Sequence, residues 1–190
     1  ALDEWGVHLC TAPPRLSIAL NAEVEERLAA LFSRPTVTFP SVTTAHAAAL
    51  PLLARGLLPV DGLRPGTRLG FVFDRFAHAS MRALSPYLEA AGPVRVVGHN
   101  DMDALERVMR RDRSSGRRTV YLCDGVYSMG GECPVADLRG LVERHRPILY
   151  IDDAHGTSIV GRRGEGFLRS SWPSMPRCVV GAFSLAKGFG

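Results

Sequence analysis

Carboxylates, imidazoles, hydroxyls and an amine stand in four short clusters of this chain: Asp74 to His78, Asp124 to Ser128, Asp152 to His155 and Ser184 to Lys187. A carboxylate beside an imidazole can hold or move a proton near neutral pH. A lysine among small and apolar neighbours can present a neutral amine, because desolvation disfavours its charged form. Taken singly, each residue has a plainer reading. An isolated lysine usually sits on the surface, an aspartate after a strand is often a turn or N-cap residue, and a lone histidine is most often structural. Their shared placement argues otherwise, because every cluster directly follows an apolar run.

Those runs are the elements that must position the clusters. Leu69 to Phe73, Val94 to Val97, Thr119 to Cys123, Ile148 to Ile151 and Cys178 to Phe183 read as strands, and Thr36 to Phe39 as a further short one. Helical patterns fall between them. Asn21 to Phe32 places Val24, Leu28, Leu31 and Phe32 on one face, with Asn21 as a plausible N-cap. Thr44 to Leu57 and His78 to Ala91 are predicted helices with internal prolines at Pro51 and Pro86; Asp101 to Arg111 is another, and Pro134 opens one that runs to about His145. Near-continuous apolar strands alternating with helices imply an α/β fold, a mostly parallel sheet covered on both faces. Such sheets bind ligands at the carboxyl ends of their strands, where all four clusters lie.

The bulk composition limits other functions. With 190 residues, 46% apolar and 22% charged, the chain is an ordinary globular one of net charge +4. The basic run Arg110-Arg111-Asp112-Arg113, at the end of a predicted helix, continues into Ser114 to Arg118 and reads as solvated, with Ser114 to Arg118 the expected disordered loop and no basic stripe for nucleic acid. Cys10, Cys123, Cys133 and Cys178 form no CxxC pair and no zinc-like cluster, so no metal site is expected. No apolar run is long enough to span a membrane and the first residues do not resemble a signal peptide, which fits a reducing, cytoplasmic setting.

The motifs DRFAHAS (Asp74–Ser80), DGVYSMGG (Asp124–Gly131), DDAHG (Asp152–Gly156) and SLAKGFG (Ser184–Gly190), in this order, resemble the α-oxoamine synthase family of fold-type I pyridoxal phosphate (PLP) enzymes. Any one motif alone is weak; four in series, each after a strand, are a strong signal. The resemblance implies the large domain of an aspartate aminotransferase-like PLP-dependent transferase over residues 36–190, preceded by an N-terminal arm and helix over 1–35.

It also implies roles. Lys187 would hold PLP as a Schiff base and act as general base. Asp152 would pair with the ring nitrogen, keeping it protonated, since opposite charges stabilise one another. His155 would contact the ring hydroxyl and polarise the acyl carbonyl, and His78 would stack on the ring. Ser128 would lie near the ring hydroxyl and the incoming acyl group, Asp124 in the same loop, and Ser184 on the phosphate. Further phosphate contacts are expected from Val42, Thr43 and Thr44, where a loop enters a helix. The family usually has a small-residue turn there; valine tolerates positive φ poorly, so the turn is expected to differ. His46 stands where the family commonly has asparagine.

The implied reaction condenses an amino acid with an acyl thioester, on coenzyme A or a carrier protein, with loss of carbon dioxide. Another fold-type I enzyme, such as an aminotransferase, and a non-catalytic subunit of a heteromeric enzyme are the alternatives. Family enzymes are homodimers, so self-association or a complementary chain is expected. The sequence ends three residues after Lys187. The family's C-terminal domain, with its carboxylate-binding arginine, is therefore expected outside it, and activity is expected to need that part or a partner chain.

Overall fold

Runs such as Leu69-Gly-Phe-Val-Phe and Ile148-Leu-Tyr-Ile have no polar side to turn towards water, and a computed structural model of the chain, which describes residues 19–188, buries them whole. The chain divides into two compact units, residues 1–38 and 39–190.

In the first unit, α1 spans Ala19–Phe32. It begins before Asn21, which is therefore a residue of the first turns and not the N-cap. Val24, Leu28 and Leu31 are half-buried and Phe32 is buried, as the helical spacing predicts. Ser33, at φ 54°, turns the chain out of the helix, and the Arg34 N–H donates back to the Ala29 carbonyl at 3.1 Å. Residues 36–39 form no strand. In place of a ladder, Thr38 donates its N–H and its hydroxyl to Glu25 Oε1 at 2.7 and 2.8 Å.

The second unit is built on a parallel sheet. In chain order its elements are α2 (Val42–Ala54), β1 (Leu69–Asp74), α3 (Ala79–Arg82), α4 (Ser85–Glu89), β2 (Val94–Val97), α5 (Met102–Ser114) and β3 (Arg118–Asp124). There follow β4 (Val126–Tyr127), β5 (Gly131–Glu132), α6 (Val135–His145), β6 (Ile148–Asp152), α7 (Gly166–Ser171) and β7 (Val179–Ala182). The five-stranded sheet runs β2-β1-β3-β6-β7, all neighbours parallel. Apart from the half-buried Arg118 that begins β3, the three central strands are buried residue after residue, so both sheet faces are covered. Leu50 and Leu53 of α2, Leu105 of α5, Leu138 of α6 and Leu168 of α7 are fully buried within the same core cluster.

Prolines and charges account for most departures from the predicted elements. α2 starts two residues earlier than expected because Ser41 caps it, and it carries Pro51 inside. The single helix expected over His78 to Ala91 is two short ones. Pro86 stands at the start of α4, where a missing N–H breaks no helical bond. Residues 114–118 are no disordered loop: Ser114 ends α5, Arg118 begins β3, and Gly116 at φ +66° closes the turn between them. Nor is the basic run wholly solvated. Asp112 is buried, accepting from Arg95 Nη1 at 2.9 Å and from the Thr119 hydroxyl at 3.0 Å.

Cys123, Cys133 and Cys178 are buried; Cys10 lies outside the described residues. Among the described residues no helix is long and apolar enough to cross a membrane. Among them, too, no group of three His, Cys, Asp or Glu side chains is placed to hold a metal ion.

Candidate active site

Parallel pairing sets the carboxyl ends of the strands side by side. Asp124 stands opposite Asp152 in the β3–β6 register, Asp152 opposite Ala182, and Asp74 opposite Val97. The polar residues following each strand therefore converge on one edge of the sheet. A cavity of about 160 Å³ opens there, lined by Val42, Thr43, His78, Ser80, Asp152, Ala154, Ser184 and Lys187. Six of the ten expected site residues line it. Of the other four, Thr44 turns back to cap its own helix, while Asp124, Ser128 and His155 lie outside the lining.

The N-terminus of α2 forms one wall. Ser41 has an extended backbone (φ −155°), its hydroxyl accepts from the Thr44 N–H at 3.1 Å, and its own N–H donates to Thr44 Oγ1 at 3.0 Å. This reciprocal cap commits the third helical N–H and leaves the first two, of Val42 and Thr43, without a partner inside the helix. Val42 is the first helical residue and no positive φ is needed there. The turn is thus made by a serine cap and not by a glycine-like conformation. Ser184, also in the lining, accepts from the Ala186 N–H at 3.2 Å, which holds its hydroxyl.

Asp152 is almost completely buried. Its Oδ1 accepts from the Ala154 N–H at 3.0 Å and its Oδ2 from His46 Nε2 at 3.0 Å. Burial works to raise its pKa, but the hydrogen bond and electrostatic influence of His46 and the Ala154 N–H outweigh it, and the carboxyl is held below its ordinary range.

Lys187 Nζ lies 2.7 Å from His155 Nε2. Burial and the neighbouring Lys187 charge lower the His155 pKa against the opposing pull of Asp152, so the imidazole is a neutral acceptor for the lysine. His78 caps α3, with Nδ1 accepting from the Ser80 hydroxyl at 2.7 Å, so its Nε2 carries the proton. Asp124 acts behind the wall: its Oδ1 accepts the His78 backbone N–H at 3.0 Å. Burial pushes its carboxyl up to about 7, the His78 bond opposing and the charges of Asp152 and Asp74 adding. Ser128 is exposed on the β4–β5 hairpin.

Sequence reasoning passed over the strand end of β2. His99 Nδ1 contacts Asp74 Oδ1 at 3.0 Å, Nε2 reaches the Gly130 carbonyl at 2.9 Å, and the ring stacks on Phe76 at 4.5 Å. His99 ties β1 to the hairpin that carries Ser128. The strand-end rule that singled out the other clusters would have found it.

The family model for aminotransferase class I and II matches residues 16–190. An 8-amino-7-oxononanoate synthase of Ralstonia pickettii is 31% identical over 88% of this chain and 40% of its own length. One of Geobacter sulfurreducens is 36% identical over 79% of this chain and 35% of its own. The chain thus spans well under half the length of these relatives. Among solved structures, an SPT with PLP superposes with a TM-score of 0.76 at 19% identity, over 100% of this chain and 44% of that one. That likeness is one of fold.

Proposed function

The chain belongs to the aminotransferase class I and II family, and from that premise we propose that it is the PLP-holding part of an α-oxoamine synthase. Such an enzyme joins an amino acid to an acyl thioester, with loss of carbon dioxide, to give an α-amino ketone. The observation that carries the proposal is the enclosure of Lys187, Asp152, His78 and the α2 N-terminus by a single cavity.

The donor set fits PLP group by group. The free N–H groups of Val42 and Thr43, favoured by the helix dipole, and the Ser184 hydroxyl suit the phosphate. The His78 ring offers a flat face for the pyridine, and Asp152 an anionic acceptor for its nitrogen proton. Lys187 is the amine for the aldehyde carbon. When bound, PLP supplies an electron sink for negative charge at the amino acid α-carbon.

The chain's own residues do the rest. Lys187 takes the α-proton, and His155, neutral and 2.7 Å away, orients the amine through its lone pair. Asp124 and Ser80 hold His78 from its backbone and its ring. Ser128, on the hairpin, is assigned to the acyl end. The working enzyme is a homodimer or a pair of complementary chains and acts in the cytoplasm.

The test is an absorbance titration with PLP, borohydride reduction and peptide mapping. Lys187 is the only lysine of the sequence, so a label on a lysine-containing peptide identifies it without ambiguity. The expected result is a visible band trapped there. Release of carbon dioxide and free thiol from amino acid and acyl thioester then supports condensation. An oxo acid would point to transamination, and a folded protein without the label would overturn the proposal.

A further inference from the structure

Two buried residues behind the cavity have no part in the function proposed above. His46 lies four residues after Val42, one turn deeper on the same side of α2, and is completely buried. Tyr150 lies two residues before Asp152 on β6, so both side chains leave the same face of the sheet. His46 is set between them. Its Nδ1 is 2.9 Å from the Tyr150 hydroxyl and its Nε2 is 3.0 Å from Asp152 Oδ2.

The hydrogen bonds have a direction. An ionised carboxylate only accepts, so Nε2 carries a proton and donates it to Asp152. Burial pushes the Tyr150 phenol well above its ordinary pKa, so it keeps its proton. Nδ1 is the hydrogen-bond partner placed to receive it. The chain therefore runs Tyr150 O–H to Nδ1, then Nε2–H to Oδ2. With the Ala154 N–H on Oδ1, both oxygens of Asp152 are pinned and the plane of the carboxylate is set. Asp152 lines the cavity together with Lys187 and His78. A buried polar trio costs desolvation that an apolar packing would avoid, and this one ends on the carboxylate of the site.

We propose that His46, oriented by Tyr150, is a positioning residue that aims Asp152 and thereby sets how firmly the cofactor's ring nitrogen holds its proton. The inference rests on the assignment of Asp152 to that nitrogen.

It is tested on the full chain loaded with PLP labelled with ¹⁵N in the ring, whose resonance separates protonated from unprotonated nitrogen. Wild type is expected to bind with the nitrogen protonated. His46→Leu is expected to weaken PLP binding about tenfold, the worth of a charge-assisted hydrogen bond, and to move the resonance towards the unprotonated position. His46→Gln, whose amide still reaches Asp152, is expected to recover most of that loss. Tyr150→Phe keeps the ring and removes only the hydroxyl; it is expected to cost about threefold and to move the resonance part of the way. Should His46→Leu fail to fold, Tyr150→Phe and His46→Gln decide the question. A merely structural role would change melting temperature without moving the resonance. A wild type that binds PLP while Tyr150→Phe and the folded His46 variants leave the resonance in place overturns the inference alone. A wild type that binds no PLP overturns the function proposed above as well.

Discussion

His99 meets Asp74 at 3.0 Å, and that carboxylate also receives the backbone N–H groups of Phe76 and Asn100 and the Tyr121 hydroxyl. Asp74 is thus placed as an acceptor, and the Gly130 carbonyl on the other ring nitrogen can only accept too. Acceptors on both ring nitrogens favour the protonated ring of His99. Burial works to lower its pKa, but the bonds to Asp74 and Gly130 overcome it and the value is raised.

A raised histidine contributes stability that is fully present below its unfolded pKa and is lost as pH rises through its folded one. The hairpin from Val126 to Glu132 is thus expected to loosen on the alkaline side. Amide hydrogen exchange of these residues, corrected for intrinsic rates, should rise with pH in wild type and be high throughout in His99→Ala. Equal protection in the two proteins would sink the idea.

The Lys187–His155 contact leads to a kinetic prediction. His155→Phe removes the lone pair that orients the amine. Covalent capture of PLP at Lys187, followed by stopped-flow absorbance, is expected to slow on the order of tenfold to a hundredfold. In wild type the capture rate should fall with pH only below the ordinary histidine range, because burial and the Lys187 charge lower the His155 pKa. A wild-type profile with no inflection below 6.5, or an unchanged rate in the variant, would count against this role.

The sheet was legible because its strands are apolar on both sides, and a run such as Leu149-Tyr150-Ile151 has no other place to go. Four strand ends were legible for the same reason. What escaped depended on partners distant in sequence. Thr36 to Phe39 has strand composition but pairs with no strand among the described residues. The hairpin Val126–Tyr127 with Gly131–Glu132 is too short to show a period of two. Asp112 looked solvated among arginines because nothing local reports that Arg95 and Thr119 surround it. His46 was noticed as an unusual residue for its place, but its partner Asp152 is 106 residues away, and only the packing of α2 on β6 brings them together.

The capping of α2 is open to a direct measurement. Ser41→Ala removes one arm of the reciprocal cap and is expected to destabilise the protein by about 1 kcal/mol, read as a lower urea midpoint with an unchanged slope. Because the same helix start forms a wall of the cavity, PLP affinity should fall as well. Thr44→Val removes the other arm and should resemble it on both readouts. A loss of stability without any loss of affinity would separate the cap from the site.

Asp153 gives the last prediction, and it concerns pH and stability. The carboxyl is fully buried; Oδ2 accepts from the Leu168 N–H at 2.9 Å, while Oδ1 has no hydrogen-bond partner. Glycines crowd it: a Cβ at Gly156 would stand 2.3 Å from Oδ1, and one at Gly125 2.6 Å. Burial, opposed by the Leu168 N–H and reinforced by the Asp152 charge, raises its pKa to about 7 from 3.8. Between those two values the folded state binds more protons than the unfolded one, so this group's contribution to stability falls as pH rises from about 4 to about 7. Asp124, also raised to about 7, acts in the same direction. Asp153→Asn keeps an acceptor for Leu168 and carries no charge to desolvate. Its urea midpoint is expected to vary less over that interval than that of wild type, with the gain in stability largest near pH 8. If wild type and variant lose stability in parallel as pH rises, Asp153 is ionised in the folded protein and this account of it fails.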